Sequence, residues 1–122
     1  MSGKYLYFAV HTFATIVNKM NTPEILITDV AKVPDNAGPE WLSPAGMEWH
    51  CTMRSKMPWY VVGEDGYTYS WEEPGIQLLF DEGVTASRAV EIAGAIVAGM
   101  QQRGYGGELV VIDGGDGVPV RF

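Results

Sequence analysis

The sequence predicts an α+β protein, with a mostly antiparallel sheet of about five to seven short strands and two helices packed on one sheet face. Three observations carry that reading. Apolar residues recur at the helical period in two stretches, 5–20 and 86–103. Short runs rich in Val, Ile, Tyr and Trp lie between and after them. Gly- and Pro-bearing turns separate those runs and join them as hairpins.

The chain has 122 residues, 47% hydrophobic and 19% charged, which fits one domain over 1–122 with a core of its own. A net charge of −7 with pI ≈ 4.6 argues against direct nucleic-acid binding and against an anionic membrane surface. The single cysteine, Cys51, excludes an internal disulfide and suits a reducing cytoplasm. No apolar run approaches the ~20 residues that span a bilayer. The stretch after Met1 lacks a small-residue cleavage site, so no signal peptide is expected.

In order, Leu6, Ala9, Val10, Phe13, Ile16, Val17 and Met20 form one helical stripe, with Asn21 and Pro23 to stop it. A strand is the competitor, since Tyr, Phe, Val, Thr and Ile favour strands. It would leave both faces of 5–13 largely apolar, so the helix fits better. Glu24 to Val33 reads as a strand. Pro34 to Gly46 carries Pro, Asn and Gly throughout and reads as a long loop holding Trp41. Met47 to Ser55 alternates, with Met47, Trp49, Cys51 and Met53 on one face and Glu48, His50, Thr52 and Arg54 on the other.

A hairpin follows over 59–71. A two-residue Asp65-Gly66 turn would pair Val62 with Tyr69 and Tyr60 with Trp71; a three-residue Glu64-Asp65-Gly66 loop would align Val61 with Tyr69 and Trp59 with Trp71. Ile76 to Phe80 is a short strand. Thr85 caps a helix from Ala86 to about Arg103, with Ala86, Ala89, Val90, Ala93, Ile96, Val97 and Met100 inward and Gly104 at its C′ position. Glu108 to Asp113 is a strand, 114–117 a glycine turn, and Val118 to Phe122 an edge strand limited by Pro119.

No catalytic signature stands out. Cys51 and His50 are strand neighbours that point to opposite faces, so they cannot form a nucleophile–base pair. Cys51 shares its face with Trp49 and Met53 and reads as a buried small hydrophobe. Two histidines and one cysteine do not supply a zinc site. Asp113-Gly114-Gly115-Asp116-Gly117 lacks the alternating ligands and distal Glu of a calcium loop and reads as a turn. No cofactor is implied.

The least ordinary stretch is 57–87. It holds six carboxylates, Glu64, Asp65, Glu72, Glu73, Asp81 and Glu82, and no basic residue. Solvated turn residues explain such runs in the ordinary case. Tyr67, Tyr69 and Trp71 lie among them and Trp41 is nearby in the loop, and aromatic residues of this kind anchor interfaces. The expected function is therefore a small acidic non-enzymatic binding or inhibitor protein. It would present Glu64, Asp65, Tyr67, Tyr69, Glu72, Glu73, Asp81, Glu82 and Trp41 to a basic protein partner. By charge and size alone it is comparable with DNA mimics and anti-CRISPR inhibitors of phages and mobile elements. The alternative is a small-molecule-binding domain or enzyme, its pocket beside the 34–47 loop with Glu48, His50 and Arg54 at the mouth. The sparsely charged outer face of helix 86–103, or the C-terminal edge strand, offers a homodimer contact.

Overall fold

A computed structural model describes residues 23–112 and 119–121. The helix expected over 5–20 and the turn over 114–117 lie outside them. Seven strands form one antiparallel sheet: β1 (Glu24–Val30), β2 (His50–Arg54), β3 (Met57–Val62), β4 (Asp65–Glu72), β5 (Gly75–Phe80), β6 (Gly106–Ile112) and β7 (Pro119–Arg121). Their order across the sheet is β2-β3-β4-β5-β1-β6-β7. One α-helix, α1 (Ala86–Gln102), and one 3₁₀ turn, Pro39–Leu42, complete the described residues. The α+β class and antiparallel sheet are as expected; of two expected helices, one lies among the described residues.

Strands β2 to β5 are a meander closed by two-residue turns. At Ser55-Lys56 both residues have positive φ, 50° and 68°, the backbone of a type I′ turn. The next turn is Gly63-Glu64, which pairs Val62 with Asp65 and Tyr60 with Tyr67. Both registers expected from Asp65-Gly66 are therefore wrong. Gly63 takes φ 65° at the first turn position, as a type II′ turn requires, and Asp65-Gly66 begins the following strand. The strand expected over 47–55 starts only at His50.

Strand β1 sits between β5 and β6, where Ile25 lies opposite Leu78 on one side and Val111 on the other. Its run Ile25-Leu26-Ile27 is buried on both faces, which explains why it does not alternate. Gly75 lets β5 approach β1 closely: a Cβ there would collide with the Ile27 carbonyl.

The main core lies between α1 and one sheet face. Ile92, Ala93, Ile96, Val97 and Met100 meet Ile25, Ile27, Ile76, Leu78, Leu109 and Val111. Each large side chain among these contributes about 1.5–3 kcal/mol by leaving water. Ile92 was absent from the expected stripe, whereas Ala86 and Val90 are only half-buried. Thr85 Oγ1 accepts from the Arg88 N–H at 3.2 Å. At the other end the Tyr105 N–H donates to Met100 O and the Gly104 N–H to Gln101 O, a Schellman closure with Gly104 at φ 86°. On the opposite sheet face Leu26, Val110 and Ile112 form a smaller apolar group. Gln77 Nε2 donates to Glu24 Oε2 on that face at 3.1 Å.

Candidate functional site

The 34–47 loop does not stand away from the sheet. Its 3₁₀ turn lies over the core face, with Trp41 and Leu42 buried. Two tyrosine hydroxyls hold it: Tyr60 donates to Pro39 O at 2.6 Å and Tyr67 to Leu42 O at 2.7 Å. The two rings stack on each other 5.0 Å apart. Burial pushes both hydroxyls well above the ordinary tyrosine pKa, with nearby charges a smaller cause.

Tyr67 is fully buried. It belongs to the support of this loop, and its expected place on a partner-binding surface is corrected. Trp41, also expected there, is mostly buried, with its ring perpendicular to Tyr69 at 5.3 Å and parallel to Trp71 at 5.8 Å. The Trp41 and Trp71 planes are within 1° of parallel. Trp71 itself is 55% exposed. The loop thus seats a buried indole beneath an exposed one. In the sequence, the period-two position that Trp71 shares with Tyr67 and Tyr69 is the signal that points to it.

The six carboxylates do not form one surface. Glu64, Asp65, Asp81 and Glu82 gather at the Gly63-Glu64 turn and the β5 exit. Glu72 and Glu73 flank the opposite end of β4, roughly 23 Å away at about 3.3 Å per residue. Two of them are neutralised by arginines from outside the base-free run. Arg54 grips Asp81 with both guanidinium nitrogens, at 2.8 and 3.1 Å. Arg88 donates to Asp65 at 2.9 Å and to Glu91 at 3.0 Å. Gly66 leaves room for the Arg54–Asp81 pair, since a Cβ there would meet Arg54 Nη2 at 2.9 Å. At the far end Glu72 accepts the Ser70 hydroxyl at 2.7 Å, and Glu72 and Glu73 are exposed. Glu40, next to Trp41 in the 3₁₀ turn, is exposed as well.

Glu48, His50 and Arg54 do not surround a cavity under the loop. Trp41 and Leu42 fill the space beneath it, and His50 and Arg54 project from the sheet face opposite the core. The Arg54 guanidinium lies over the Trp59 ring at 4.3 Å. Cys51 is exposed, not buried. Among the described residues its strand runs along the sheet edge and no helix covers the face it shares with Met53. Partial burial still raises its thiol pKa, which leaves it a poor nucleophile at neutral pH.

Among the described residues, no group of three or more His, Cys, Asp or Glu side chains could hold a metal ion, and no helix is long and apolar enough to cross a membrane. Compared with known proteins, the chain matches no family model, no curated protein and no solved structure.

Proposed function

We propose that this is a non-enzymatic binding protein whose contact surface is the Trp71 end of the β4–β5 hairpin, and that its partner is a basic protein surface. The observation that carries the reading is the exposed Trp71 ring lying parallel to the buried Trp41. An exposed tryptophan held in one orientation loses little freedom on binding and desolvates a large ring. Glu73, in the turn after Trp71, and Glu40, next to Trp41 in sequence, are exposed carboxylates near this contact, while Glu72 adds charge from the opposite sheet face; this charge favours Lys and Arg on the opposing surface. Glu64 and Glu82, at the other end of the sheet, form no part of this contact. A protein of this kind inhibits by occupying the basic surface that its partner uses for an acidic ligand.

The test is capture from a lysate of the native host at low salt, followed by titration of the identified partner. Trp71→Ala and the pair Glu72→Lys, Glu73→Lys are each expected to weaken binding at least about tenfold, the scale of one hot-spot side chain. Glu64→Lys with Glu82→Lys serves as the control. Equal affinity of all four proteins for the partner removes the proposal.

A further inference from the structure

We propose that residues 5–20 cover the sheet face opposite α1, laying their apolar stripe on Leu26, Val110 and Ile112. The inference is independent of the Trp71 surface, which lies on the other face.

On that face Gln77, Leu26 and Val110 stand side by side in β5, β1 and β6, with Glu24 and Ile112 next to them. Leu26 is 0% exposed, Val110 and Ile112 2% each, and Gln77 and Glu24 are buried too. Farther across the same face, in β2 and β3, His50, Thr52 and Arg54 are exposed and Met57 is 43% exposed. A side chain on a bare sheet face keeps its outward side wet, as Met57 does. The central five are therefore covered, and by their own chain, since they are buried within a single copy. The described residues do not supply the cover. Helix α1, Trp41 and Leu42 pack on the other face, and Leu26, Val110 and Ile112 form a group of strand residues alone. The 113–118 connection is tied at both ends to the β6–β7 edge by the Ile112–Pro119 pair. It would have to run fully extended, out and back, to pass over Gln77 two strands away.

The N-terminal segment fits this place in length, attachment and charge. Read at the helical period, residues 5–20 run about 24 Å at 1.5 Å per residue, the length of the seven-residue β1 at about 3.4 Å per residue. Asn21, Thr22 and Pro23 alone separate Met20 from Glu24, whose side chain lies on this face. The four Cα steps from Met20 to Glu24 span up to about 14 Å, enough to reach a layer packed about 10 Å above the strands. Residues 1–22 hold Lys4 and Lys19 and no carboxylate, so all 15 acidic side chains lie in the rest of the chain. Glu24 and Glu108 are on this face beside the apolar group, and the segment brings the charge that suits them. A cover here also accounts for β1: a strand packed on both faces reads as an unbroken apolar run, as Ile25-Leu26-Ile27 does.

NMR of the full chain with labelled methyl groups tests the packing. In the wild type, nuclear Overhauser contacts are expected from the Phe13 ring, in the middle of the stripe, to the methyls of Leu26 or Val110. A dissolved gadolinium chelate, which broadens exposed methyls, is expected to broaden Met57 and leave Leu26, Val110 and Ile112 sharp. Phe13→Asp is expected to raise the broadening of those three towards that of Met57. Thr15→Asp, on the polar side of the stripe, is expected to leave them sharp. Where Phe13→Asp does not fold, the wild-type contacts decide. Phe13 contacts to Ile92 or Ile96 of α1 instead, or to none of these residues, overturn the proposal. So do contacts found only between differently labelled copies, and a folded Phe13→Asp in which the three methyls stay sharp.

Discussion

The Tyr67 hydroxyl permits a quantitative test of how the loop is held. It donates to Leu42 O at 2.7 Å, and both residues are fully buried. Replacing it with Phe removes the bond and leaves a buried carbonyl unmet, at a cost of about 1.5 kcal/mol near neutral pH. Burial holds this hydroxyl neutral in the fold far above the pH at which the unfolded chain ionises. A group whose folded pKa is raised supports the fold in full below its unfolded value, here about 10, and loses that support as pH climbs towards the folded value. Each such tyrosine therefore withdraws about 1.4 kcal/mol of stability per pH unit above about 10. At about pH 11 the wild type has given up roughly 1.4 kcal/mol at Tyr67 that Tyr67→Phe does not. The two stabilities, about 1.5 kcal/mol apart at pH 7, are expected to converge near pH 11. Urea unfolding of both proteins at pH 7, 9, 10 and about 11, followed by circular dichroism, measures this. A gap that stays constant across the series would refute the buried, neutral hydroxyl.

Two further predictions concern the backbone. Gly75→Ala drives a methyl group into the Ile27 carbonyl at a φ of 156°; it is expected to cost about 2 kcal/mol or more, a fall in melting temperature of roughly 6–12 °C. A change below about 2 °C would show that β5 can withdraw from β1 cheaply. Ser55→Asn with Lys56→Gly replaces two side chains held at positive φ by the pair that type I′ turns favour. A gain of about 1 kcal/mol in urea unfolding is expected, and a loss of stability would contradict the turn assignment.

The sequence was most informative where one local rule decided the outcome. Thr85, the 3.6-residue spacing after it and Gly104 delimit α1 to within a residue. The apolar runs at 24–30, 76–80 and 108–112 are strands as expected. It failed where two local signals competed or where the answer was long-range. Asp65-Gly66 is a strong hairpin dipeptide, but Gly63 two positions earlier takes the positive φ and moves the register. Cys51 alternates with Trp49 and Met53 as a half-buried strand should, yet strand order puts it at the edge, and order is invisible to periodicity. The run from 57 to 87 has no basic residue of its own; Arg54 and Arg88, just beyond its ends, fold back onto Asp81 and Asp65. The Trp71 surface was half legible. Its carboxylates and aromatics were in view, but the loop that lays Trp41 beneath it depends on hydrogen bonds from Tyr60 and Tyr67 that span 21 and 25 positions.

The central position of β1 sets an order of events during synthesis. Ile25 leaves the ribosome first, yet its partners Leu78 and Val111 follow 53 and 86 positions later. The meander from β2 to β5 is made only of neighbours in sequence and can close as soon as it emerges. Until β5 and β6 arrive, this central strand has no place to pair. For that interval the nascent chain carries an exposed Ile-Leu-Ile segment, the kind of stretch that holding chaperones bind. A strand whose centre is buried on both faces of the finished sheet is thus the one left longest without a partner while the protein is being made.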